Sequence, residues 1–179
     1  MKIKAKNLLL AVGAIFMFLS CHKNSDNNNA HETVTTQDRS FILQTALANT
    51  AEIQAGQLAD STSDSSVVKL FGQQMVTDHT TAQNDLKTLG TNVNVAVADS
   101  IDSMHSSLID TLKALSGRAF DSVYIMSQIK DHQTVISNFQ QEINSGNKTD
   151  VISYANKYLP KLQMHLQMAD SIATLMNFK

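Results

Sequence analysis

From Asp38 to the end of the chain, apolar residues recur in steps of three and four, the spacing that gathers them on one face of an α-helix. A first helix is predicted from Asp38 through Ala59, with Phe41, Thr45, Ala48, Glu52, Ala55 and Ala59 on its inner face and Thr35 with Asp38 at capping-box spacing. A second follows "DSTSD", where Ser61 and Asp64 again have that spacing. Its stripe runs Val68, Phe71, Met75, His79, Ala82, Leu86, Leu89, and Gly90 is expected to stop it. A third begins at "SGRAFDSVY" and carries Ile125, Ile129, His132, Ile136, Phe139 and Ile143 on one face. The fourth covers about Asp150 to Asn177, with Tyr158, Leu162, His165, Ala169, Ile172 and Met176 aligned, Asn147 as its expected N-cap and a kink at Pro160.

Between the second and third helices the pattern changes. "TNVNVAVADS" alternates like an extended segment and "MHSSLIDTLKAL" suits a short helix, which together make a long connection. Two short turns and one long crossing fit an all-α, ferritin-like four-helix bundle with its crossover between the second and third helices. One proline and six glycines in the whole chain leave few breaks in this plan.

The front of the chain is of another kind. Lys2, Lys4 and Lys6 precede an apolar run from Leu8 to Leu19, shorter than the about 20 residues of a membrane span, and "FLSC" then resembles a bacterial lipoprotein cleavage box. Residues 1–21 read as a lipoprotein signal ending at Cys21, residues 22–37 as a polar, Asn-rich tether, and residues 38–179 as the helical domain. Cys21 is the only cysteine, so its thiol is an attachment point for lipid, not half of an internal disulfide. The expected partner is therefore a membrane, reached through acylated Cys21, and the expected place is the bacterial cell envelope at the outer membrane.

Charge removes one class of partner. Without Lys2, Lys4 and Lys6 the basic residues fall from 14 to 11 against 16 acidic ones, moving the net charge from -2 to -5. No basic patch argues for nucleic acid.

The candidate chemistry lies in the stripes themselves. The second, third and fourth helices each carry one histidine on the buried face, His79, His132 and His165, and the first carries Glu52. All four fall near the middle of their helices, a depth that bundled helices share whichever way they run. Three imidazoles and a carboxylate suit a transition metal such as zinc, copper, iron or manganese. Asp78, Asp121, Tyr124 and Asp131 are the candidates to hydrogen-bond such ligands from behind. Met75, Met164 and Met168 lie close to the histidines in sequence and add a soft donor that favours copper, although methionine also fills cores. There is no Glu-x-x-His unit for a di-iron centre; "DSMH", Asp102 to His105, has the spacing but lies in the connection. A second interpretation stands beside the metal: a polar cluster that fixes helix register in a non-enzymatic binding or stress module.

With "FILQTALANTAEIQAGQLA", "VKLFGQQMVTDHTTAQNDL", "SGRAFDSVYIMSQIKDHQ" and "YLPKLQMHLQMAD" in view, the region from Asp38 to Asn177 resembles the exported bacterial proteins called domain of unknown function 4142. Glu52, Met75 to His79, Phe120 to Tyr124, His132, Leu159, Pro160 and His165 occupy that family's pattern. The resemblance implies a ferritin-like fold and makes the four polar residues a family feature. It implies no reaction.

Overall fold

The computed structural model describes residues 32–178. The predicted signal, Cys21 and the tether up to His31 lie outside the described residues. Five helices follow in order: α1 (Thr36–Thr62), α2 (Ser66–Asn92), α3 (Ser103–Lys113), α4 (Gly117–Ser145) and α5 (Thr149–Met176). Among the described residues there is no strand. None of these helices is long and apolar enough to cross a membrane.

The long helices form two hairpins, α1–α2 and α4–α5, placed so that α1 lies beside α4 and α2 beside α5, with α3 packed across α1 and α4. One apolar cluster joins the start of α1 (Phe41, Ile42), the end of α2 (Leu86, Leu89), the end of α4 (Phe139) and the start of α5 (Val151, Tyr154). A second joins the opposite ends through Ala59, Val68, Phe71, Phe120, Tyr124 and Ile172. Helices α2 and α4 therefore run parallel, and the segment between them must travel the length of the bundle. This is the ferritin-like crossover.

The alternation in "NVNVAV" is real but does not make a strand. Val93 and Val95 are buried against the first cluster, while Asn94 adopts a left-handed backbone (φ 57) that turns the chain back on α2. The return is close: Val95 donates its N–H to the Gly90 carbonyl at 2.8 Å, and a methyl on Gly90 would lie 2.5 Å from the Val95 oxygen. Gly90 thus serves a backbone contact and does not stop α2, which continues to Asn92.

Two other expected caps do not form. Ser61 and Asp64 form no capping box, because α1 runs to Thr62 and the Ser61 hydroxyl bonds back to the Gln57 carbonyl. Asn147 does not cap α5: Lys148 holds that position, and the Asn147 side chain donates to the Thr33 carbonyl. The predicted Thr35–Asp38 box does form, and the same carboxylate accepts the backbone N–H groups of Asn147 (2.9 Å) and Lys148 (3.2 Å). One buried acid ties the start of α1 to the α4–α5 turn. Helix α5 passes through Pro160 unbroken, with the proline on its exposed side, where water is available to the carbonyl it leaves without a donor. On α1, Ala48 is only half-buried, whereas Ile42, Ala46 and Asn49 are buried beside the predicted stripe, since α1 faces α2 on one side and α3 with α4 on the other.

Phe71 and Phe139 anchor the two clusters, at 1% and 2% exposure. Replacing either with Ala should cost about 3–5 kcal/mol in chemical denaturation. Losses below about 1 kcal/mol at both would show that these rings do not hold the core.

Candidate metal centre

Between the two apolar clusters lies a buried polar layer. His79 on α2, His132 on α4 and His165 on α5 meet there, with ring centroids 5.4 to 5.8 Å apart and exposures of 4%, 2% and 1%. One nitrogen of each ring lies within 4.8 Å of the other two. All three lie at one depth, near the midpoints of their helices.

What the rings can do depends on where their protons are, and the surrounding acceptors fix that. Asp78 on α2 receives hydrogen bonds from Lys161, Gln74 and His165 Nε2 (2.9 Å). Burial works against its charge, but these bonds hold its pKa at about 2, so it is a carboxylate and His165 must carry its proton on Nε2. His132 Nδ1 lies 2.9 Å from the Gln128 carbonyl oxygen, which only accepts, so its proton is on Nδ1.

The tautomer of His79 follows through a longer chain. Asp99, kept ionised by Lys87, accepts from Gln83 Nε2 at 3.0 Å, which turns Gln83 Oε1 toward the Asn49 amide nitrogen at 3.2 Å. Tyr154 donates its hydroxyl to the Ala82 carbonyl and so also presents an acceptor to that nitrogen. Asn49 Oδ1 is left facing His79 Nδ1 at 3.0 Å, and that nitrogen carries the proton.

All three inner nitrogens, His79 Nε2, His132 Nε2 and His165 Nδ1, are therefore lone-pair donors. His79 Nε2 is buried with no hydrogen-bond partner. His132 Nε2 and His165 Nδ1 face one another at 3.4 Å, a hydrogen-bond distance with no proton to fill it. About 3.4 Å is also the separation of two imidazole nitrogens on a tetrahedral metal with bonds of about 2.1 Å. Burial, and then the neighbouring imidazoles, push His79 well below the ordinary pKa of 6.5; burial with His165 brings His132 to about 4, and burial lowers His165 against the pull of Asp78. The rings are neutral at pH 7, the state that binds metal.

The other predicted residues are distributed around this trio. Glu52 lies beyond His132, with Oε1 4.0 Å from Nδ1, the nitrogen that points away from the convergent side. Burial raises its pKa to about 8. Tyr124 is buried near it with an unpartnered hydroxyl. Asp131 faces α3, and Asp121 accepts from Ser63 near the far end of the bundle at 2.6 Å. Asp78 supports His165 across the bundle, not its neighbour His79, as expected when adjacent helical residues point about 100° apart. Met75 and Met168 pack in the second apolar cluster, and Met164 is 39% exposed. Gln83 and Gln128 went unnoticed in the sequence, although Gln128 sits one turn before His132 on the same stripe. A cavity of about 10 Å³, room for about one water, touches His79 and His165 and is bounded by Asn49, Tyr158 and Lys161.

These features define a ferritin-like helical bundle with a buried three-imidazole centre. Residues 23–172 match the family described as domain of unknown function (DUF4142), and the chain belongs to it. No curated protein matches the sequence. Among solved structures, a DUF305 fragment from Deinococcus radiodurans is similar, with a TM-score of 0.69 at 9% identity over 78% of this chain and 97% of that one. At that identity the likeness concerns the fold alone.

The shifts set opposing pH slopes in the metal-free protein. The histidines protonate at about 6.5 when unfolded but resist it when folded, so stability is lost as pH falls from 6.5 toward 4. Glu52 ionises near 4.5 when unfolded and near 8 when folded, so its contribution is lost as pH rises between those values. Melting in chelator should therefore decline between pH 7 and 8, and Glu52→Gln should remove most of that decline, leaving the smaller share of Glu142, whose pKa burial raises to about 7. An unchanged decline in the variant would remove Glu52 as its source.

Proposed function

We propose that this protein is a lipid-anchored envelope protein that binds one transition-metal ion through His79 Nε2, His132 Nε2 and His165 Nδ1, for storage, sensing or redox protection. The observation that carries this reading is the facing pair of unprotonated nitrogens, His132 Nε2 and His165 Nδ1, at 3.4 Å. Two lone pairs at that distance repel in a buried site, and a cation between them and His79 turns the repulsion into three bonds. Three neutral imidazoles favour zinc or copper over harder ions. Asn49, the Gln128 carbonyl and Asp78 give each ligand the rear hydrogen bond that orients it and raises its basicity. The alternative, a polar cluster that only sets helix register, gives no role to the unpartnered His79 Nε2.

Protein lacking residues 1–21 and carrying no affinity tag should take up one equivalent of zinc or copper. Its melting temperature should rise with metal, by mass action on the folded state. His79→Ala, His132→Ala and His165→Ala should each abolish the rise. Absence of bound metal by elemental analysis, with melting unchanged by every one of zinc, copper, iron and manganese, would leave the register interpretation standing.

The anchor is tested separately. Cys21→Ser should prevent acylation and release the protein from the membrane fraction. A wild-type chain without lipid by mass spectrometry, or a variant that still sediments with membranes, would contradict the anchor.

A further inference from the structure

Polar groups without partners also gather on the opposite side of His132. Glu52 Oε2 and Gln128 Oε1 are buried and make no hydrogen bond, in residues only 7% and 1% exposed. Both residues line a cavity of about 10 Å³ at the seam of α1, α3 and α4, together with Asp131 and His105. His105 lines this cavity with its ring held by Asp102, the N-cap of α3, which accepts from the His105 backbone N–H and from Nδ1–H, each at 2.9 Å, so that Nε2 keeps a free lone pair. Asp131 and His105 also border a groove of about 360 Å³ between α1 and α4, which supplies a path from the surface.

We propose that Glu52, His105, Gln128 and Asp131 form a second divalent-cation site, distinct from the three-imidazole centre. Its donors are two carboxylates, one amide oxygen and one imidazole, a harder set that suits Mn²⁺ or Fe²⁺. The ion supplies the positive partner that the buried Glu52 carboxylate lacks. Among the described residues the three imidazoles are the one group of three or more His, Asp or Glu whose donor atoms converge within 4.8 Å, so a cation here draws Asp131 and His105 inward from the half-buried rim. Gln128 serves both centres, with its backbone carbonyl behind His132 and its amide oxygen at the second site.

The probe is Mn²⁺, followed by loss of the free-ion signal in electron paramagnetic resonance. His165→Ala, which disables the first centre, should still deplete one equivalent of Mn²⁺, and adding Asp131→Asn or His105→Ala should restore the free signal. Should His165→Ala fail to fold, wild type against Asp131→Asn or His105→Ala gives the same comparison, with one equivalent lost in each variant. Mn²⁺ depletion unaffected by both rim variants, or no depletion by the folded parent, would overturn this site. Failure of the first centre reads differently: zinc or copper uptake would be insensitive to His165→Ala, whatever Mn²⁺ does.

Discussion

Three hydrogen bonds that point away from the centre determine what the centre is. Asn49, the Gln128 carbonyl and the Asp78 carboxylate each accept one imidazole N–H, and by fixing the proton on that nitrogen they leave three lone pairs directed at one another. The convergence is thus a consequence of acceptors at the back of each ring. Those acceptors are themselves constrained: the orientation of Asn49 is set by Gln83 and Tyr154, and Gln83 in turn by Asp99 in the crossing segment, between α2 and α3. The crossover therefore contributes to the protonation state of a ring on α2.

The fold accommodates this at a cost. A polar layer divides the core into two apolar clusters, and every buried donor or acceptor in it that lacks a partner costs about 1–3 kcal/mol. Rings such as Phe71 and Phe139 on either side supply the burial that offsets it. Asp38 closes one end of the bundle with both a helix cap and a turn, so the helices are held in register independently of the polar layer. A structure already fixed at its end and in both apolar halves has little need of a histidine cluster for registration, which favours a ligand as the reason for it.

Much of the architecture was legible because a bundle repeats one rule, a buried stripe at helical spacing, and every predicted position from Val68 to Leu89 on α2 is buried. The crossing was legible from its length. The turns were not: what caps α1 also binds Asn147 and Lys148, contacts more than a hundred residues away along the chain, whereas local spacing at Ser61 and Asp64 led to a box that does not form. At the site, stripe and depth brought the three histidines to one layer and left open which side of α1 carries Glu52. Helix α1 is covered on two sides, so a buried phase does not say which side, and Glu52 faces α3 and α4 where Asn49 faces α2. The partner of Asp78 was equally hidden, since it lies on α5.

The most direct test of the central claim is nitrogen NMR of the imidazoles in metal-free protein at pH 7, with the three rings assigned. Neutral rings are expected, with the proton on Nδ1 of His79 and His132 and on Nε2 of His165, and unprotonated signals from the three inner nitrogens. A proton on His132 Nε2 or His165 Nδ1, making the 3.4 Å contact an ordinary hydrogen bond, or a doubly protonated ring at that pH, would contradict it.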